Sequence, residues 1–119
     1  MSISLSTLSD NAIEESTYII IVTFTDEDDV ATIPATLTWT LSDVNNAVIN
    51  SREDVSVAVP AAVTNILLSG DDLAITGSKP SAVRVFTVEG TYDSSLQAGV
   101  PFKESVRFNI KNLSAVIRR

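Results

Sequence analysis

Across residues 35–42 the chain reads ATLTWTLS, and every second side chain is apolar: Leu37, Trp39 and Leu41 alternate with Thr36, Thr38 and Thr40. A two-residue period places successive side chains on opposite faces of an extended strand, one face buried and the other wet. The same alternation recurs along the chain, and no segment of a dozen residues shows the 3.6-residue period of an amphipathic helix. The pattern therefore predicts an all-β protein. Its 119 residues fit one domain, with 45% hydrophobic and 19% charged residues, enough apolar surface for a real core. Much of that surface is Val and Ile, whose branched Cβ packs well on a pleated sheet.

Other strands follow by the same argument. Ile3 and Leu5, with Leu8 as an extension, predict a short first strand. In TYIIIVTFT, residues 17–25, Tyr18, Ile20, Val22 and Phe24 share one face, and Ile19 and Ile21 lie on the other. Apolar residues on both faces predict a central strand or one whose outer face meets a partner. Ala47 to Ile49, then Val55, Val57 and Val59 ended by Pro60, predict two short strands, and residues 62–68 another. Residues 82–92 form a long strand whose phase stays open, with Gly90 read as a bulge. Residues 101–111 put Phe102, Val106, Phe108 and Ile110 on one face and Lys103, Ser105, Arg107, Asn109 and Lys111 on the other. Seven to eight strands in about 100 residues predict an immunoglobulin-like two-sheet antiparallel β-sandwich, with Trp39 as its core anchor. A jelly roll or small barrel has similar periodicity. The single domain spans 1–119, its core about 17–112, with residues 112–119 as a contact tail.

The chemistry available to such a chain is narrow. It has no cysteine and no histidine, which removes disulfides, zinc–thiolate sites, thiol nucleophiles and the commonest general base. No nucleotide-binding glycine loop, nucleophile elbow or metalloprotease motif is present. An enzyme is not expected, nor a cofactor. Asp26, Asp28 and Asp29, in the run DEDD at 26–29, are the candidate metal ligands, because Ca²⁺ takes six to eight oxygens. Four consecutive acids cannot all face one ion, so a solvated turn that blunts a hydrophobic strand is the favoured reading. Asp71–Asp72 read as another solvated loop. Arg84, Lys103, Arg107 and Lys111 suggest a basic stripe on one sheet face. With a net charge of −7 and no interleaved aromatics, nucleic acid is not an expected partner. The start MSISLSTLSDNAIEE has no basic n-region, and the longest apolar run, Tyr18 to Val22, is too short to span a bilayer. A soluble protein made in a cytoplasm, without a membrane partner, is expected.

The segments ATLTWTLSDVNNAVINSREDVSV, ILLSGDDLAI and RVFTVEGTYDSSLQAGVPFKESVRFNI lie within roughly residues 17–112. Taken in order (TWTL, INSREDVSV, LSGDDL, FTVEGTY, PFKESVRFNI), they resemble small stand-alone immunoglobulin-like virion structural proteins of tailed bacteriophages. The resemblance implies a virion component synthesised in the host cytoplasm: a capsid decoration or cement protein, or an accessory subunit at the head–tail junction or tail. It implies capsid, portal or connector, or tail proteins as partners, leaves homo-oligomerisation open, and transfers no functional residue. Ile19 and Ile21 on the doubly apolar strand, and Val116, Ile117 and Arg118 in the tail, are the candidate contact residues. The alternative is a carbohydrate-binding or adhesion-type immunoglobulin-like module, which an exposed aromatic platform would favour.

Overall fold

The computed structural model describes residues 2–7, 11–13, 16–26, 28–75, 81–94 and 96–111; Leu8, Glu27 and the expected contact tail, 112–119, lie outside them. Among the described residues are eight strands: β1 (Ser2–Thr7), β2 (Asn11–Ile13), β3 (Thr17–Thr25), β4 (Thr36–Ser42), β5 (Val55–Ser56), β6 (Val63–Ser69), β7 (Ser81–Tyr92) and β8 (Val100–Lys111). A single 3₁₀ turn, Gly70–Leu73, follows β6. The protein is all-β. One sheet has the order β1-β3-β6, the other β2-β8-β7-β4-β5. All pairs are antiparallel except β2 with β8, which run parallel with Asn11 opposite Asn109 and Ile13 opposite Lys111. The larger sheet is therefore mixed, which corrects the purely antiparallel expectation. β2 itself, at three residues, is too short to carry a readable period.

The two sheets face each other across one core. Tyr18, Ile20, Val22 and Phe24 of β3, with Ile66 and Leu68 of β6, meet Leu37, Trp39 and Leu41 of β4, Phe86 and Val88 of β7, and Phe108 and Ile110 of β8. Rings bridge the layers: Tyr18 stacks on Phe108 at 4.9 Å, and Phe24 meets Phe102 edge-on at 5.4 Å. Such pairs add to area burial and fix the register of one sheet on the other. Trp39, 6% exposed, packs 5.5 Å from Phe86.

The undecided phase of β7 resolves with Arg84, Phe86, Val88 and Tyr92 inward and buried, and Val83 and Val85 outward. Arg84 thus lies on the opposite face from Lys103, Arg107 and Lys111, and the four-residue basic stripe is corrected to three. Nor is Gly90 a bulge. The ladder runs unbroken through it, with Leu37 opposite on one side and Phe102 on the other. What requires glycine there is a close approach: a Cβ would lie 2.1 Å from the Thr36 carbonyl oxygen.

Along β4 the expected pair of short strands becomes an irregular edge. Val48 makes only an isolated bridge to Ser42, and β5 is two residues long. The reason is backbone conformation: Asn46, Asn50, Ser51 and Asp54 all have positive φ, which bends an extended path. The edge of β4 is nonetheless satisfied. Ile49 N–H donates to Leu41 O (2.9 Å), Leu41 N–H to Arg52 O (2.8 Å) and Val57 N–H to Leu37 O (2.9 Å). After Val57 the chain leaves to cross to the other sheet, so Val59 is 83% exposed rather than in a strand.

Candidate interaction surfaces

Asp26 closes the turn after β3. Its Oδ1 accepts the N–H groups of Asp28 (2.8 Å) and Val30 (3.0 Å), while Asp26 N–H donates to Val30 O and Asp29, at φ 60°, donates to Asp26 O. The turn after β4 is built the same way. Asp43 Oδ1 accepts from Asn45 (2.8 Å) and Ala47 (3.0 Å), Asp43 N–H donates to Ala47 O, and Asn46, at φ 68°, donates to Asp43 O. A short side chain that bonds the backbone two residues on is a turn-forming device. In the second turn Asn45 and Asn46 occupy the places that Asp28 and Asp29 hold in the first. The geometry thus needs an aspartate only at the first position. Among the described residues no group of three acids converges to hold a metal ion, and Asp26, Asp28 and Asp29 are not brought together as ligands. The main-chain donors of Ala47 and Asn45 hold the Asp43 carboxyl below the ordinary aspartate value.

Asp72, read from sequence as part of a solvated loop, is instead 1% exposed. It sits in the 3₁₀ turn and accepts from Arg52 Nε (2.8 Å), Asn50 Nδ2 (2.9 Å) and Ser69 N–H (3.2 Å). Arg52 also lies 5.9 Å from the Trp39 ring centre, so one side chain covers the tryptophan and neutralises the aspartate. Burial alone would raise this carboxyl; the bonds from Arg52, Asn50 and Ser69 outweigh it and hold the pKa below 3.8. The spacing Ser69-x-x-Asp72, a polar cap followed three residues later by an acid, is the signal that could have flagged it. Nothing in this cluster is aimed at a ligand: it ties the 3₁₀ turn to the edge of β4.

The outer face of the five-stranded sheet carries a shallow open groove of about 430 Å³. Its floor is hydroxylic (Thr40, Thr87, Ser105), and Glu89 stands opposite Lys103 across it. No aromatic side chain lines it. All seven aromatic residues of the chain lie in the interior, six buried and Phe102 half-buried. Buried Arg84 donates to Val83 O and Ala74 O and leaves its Nε without a partner.

The outer face of the smaller sheet carries apolar side chains on both β3 and β6. Ile19 and Ile21, two of the candidate contact residues, are half-buried there. Leu67 stands opposite Ile19 and is 58% exposed; Val63, opposite Thr23, is 56% exposed. The sequence marks residues 62–68 only as a strand; like 17–25 they are apolar on both faces, with Val63 and Leu67 outward. None of the residues of β1, β3 or β6 is charged, in a chain that is 19% charged. The remaining candidates, Val116, Ile117 and Arg118, lie outside the described residues.

No helix among the described residues is long and apolar enough to cross a membrane. Comparison of the chain with protein-family models, with curated proteins and with solved structures finds no match.

Proposed function

We propose that this chain is an immunoglobulin-like β-sandwich that acts by protein–protein contact as a structural subunit of a phage particle, a capsid decoration or cement protein or a head–tail accessory subunit. The observation that carries the contact function is the uncharged outer face of β1-β3-β6, with Ile19, Ile21, Val63 and Leu67 on it. Charge depletion around an apolar centre is what distinguishes the core of a protein interface from ordinary surface. The immunoglobulin-like reading is supported by strand order. A first strand beside the second long one, a short parallel strand on the edge of the last, and a tryptophan on the next long strand are features of that architecture. The particle assignment draws on the resemblance of TWTL, LSGDDL and PFKESVRFNI to virion proteins. A rigid domain repeated over a shell needs only modest contacts, since repetition supplies avidity. The sugar-binding alternative lacks its platform, because the aromatic rings are spent on the core.

The test is quantitative mass spectrometry of purified particles from the source of the chain, counted against the major capsid protein. Hundreds of copies fit a decoration protein or repeated tail subunit, and a handful fit the junction. Absence from clean particles rejects the particle reading.

A further inference from the structure

Two copies of a protein with a net charge of −7 repel one another, so they pack most readily where close approach sets no carboxylate against another. The outer face of β3 and β6 meets that condition. On β3 and β6 its outward residues are Thr17, Ile19, Ile21, Thr23 and Thr25, and Val63, Asn65, Leu67 and Ser69, none of them ionisable. The outer face of the other sheet fails it, with Glu89, Lys103 and Arg107 projecting from β7 and β8. Other exposed apolar residues, such as Val59 and Leu96, stand singly on loops, as is normal for a protein surface.

Resting on the contact function proposed above and naming its partner, we propose that this face is the contact between two copies of the chain, which pair sheet on sheet about a two-fold axis. An isologous contact brings the same patch from both partners together, so the patch must be complementary to itself. An apolar centre ringed by Thr, Ser and Asn is self-complementary, whereas a face built for a charged partner would carry the opposite charge. The size suits a reversible dimer. With 9, 6 and 7 residues in β3, β1 and β6, about 3.4 Å per residue and about 4.8 Å per strand give a footprint of about 350 Å². Both sides together then cover about 700 Å², the size of a weak, transient contact rather than a permanent one. Sheets packed this way also cover Leu67 and Val63, which stand on β6, an edge strand of the smaller sheet.

Sedimentation equilibrium of the purified full chain, from about 5 to 500 µM, tests this directly. The monomer is 12.7 kDa, and the expected result is a concentration-dependent rise to twice that mass. Leu67→Lys places one ammonium from each copy in the contact, so dissociation should become roughly a hundredfold easier. Val63→Lys, on the same face, should act in the same direction and serves if the first variant folds poorly, with near-ultraviolet circular dichroism of Trp39 reporting folding. Leu96→Lys removes a more exposed leucine (89%) off the face and should leave the mass curve unchanged. A wild-type chain monomeric throughout, or a dimer untouched by both face variants, overturns the proposal. Particles take no part in this experiment, so its failure and that of the virion reading are separable.

Discussion

Asp72 is the residue on which the loop beside β4 depends, because its carboxylate is the shared acceptor for Arg52, Asn50 and Ser69. Asp72→Asn keeps the shape but replaces a charged acceptor with an amide, leaving part of the donor set unmatched. It should cost about 1–3 kcal/mol at pH 7, measured by urea unfolding. The pH dependence has a definite sign. The folded pKa lies below 3.8, so the unfolded chain takes up the proton first as pH falls. The stabilisation is complete above 3.8 and is lost as the pH drops through the folded value, so wild type and Asp72→Asn should converge there. A wild-type advantage that is unchanged at pH 3 would show that the charge of Asp72 contributes nothing. The two aspartate turns make a second prediction. Asp26→Ala and Asp43→Ala should each cost about 0.5–2 kcal/mol, by analogy with loss of a side-chain cap. Asp29→Gly should be neutral or stabilising by up to about 1 kcal/mol, because position 29 has φ 60°. Much of this was hidden in the sequence. An acidic pair such as Asp71–Asp72 reads as solvent-facing, and only the arrival of Arg52 from twenty residues away makes burial of one of them tolerable.

At the scale of elements, strands with one buried face were legible and their edges were not. The inward set of β4 follows from alternation alone, and so do the faces of β8, although Glu104, opposite Val88, interrupts the apolar side. In β7, Val83 and Val85 lie outward while Arg84 lies inward, so hydropathy points the wrong way until the pairing of Phe86 with Leu41 and Val106 sets the phase. The chain along β4 departs from its alternation for a related reason. Its hydrogen bonds to Leu37 and Leu41 are contributed by a coil whose positive-φ residues no periodicity reveals. Gly90 joins these two lessons. It reads as a local irregularity, but its role is to let β4 lie close to β7, with the Thr36 carbonyl 2.1 Å from where a Cβ would stand. Gly90→Ala must therefore move backbone rather than a flexible side chain. It should destabilise by about 2–4 kcal/mol in chemical unfolding, a cost of overpacking rather than lost burial. If Gly90→Ala unfolds like wild type, the close approach of these strands is not a constraint on stability.

For the whole molecule, charge and shape act against each other. The apolar face draws two copies together while the −7 net charge on each opposes it, and the opposing charges lie outside the contact. The repulsion is therefore long-range and open to screening, whereas the packing is not. The short axes of the molecule are 23 and 22 Å, so paired centres stand about 25 Å apart, and Coulomb's law in water gives on the order of 8 kcal/mol before screening. At 0.01 M salt, with a Debye length of roughly 30 Å, about 3 kcal/mol of that survives; at 0.15 M, with roughly 8 Å, only a few tenths does. Association should accordingly tighten as salt is added, by about two orders of magnitude in Kd between those two conditions, and little beyond. A contact held by ion pairs behaves in the opposite way, loosening with salt. Sedimentation at the two salt concentrations separates the cases by sign alone: a dimer weakened by salt would mean that the copies meet through a charged surface, and that the face carrying Ile19, Ile21, Val63 and Leu67 is turned to something else.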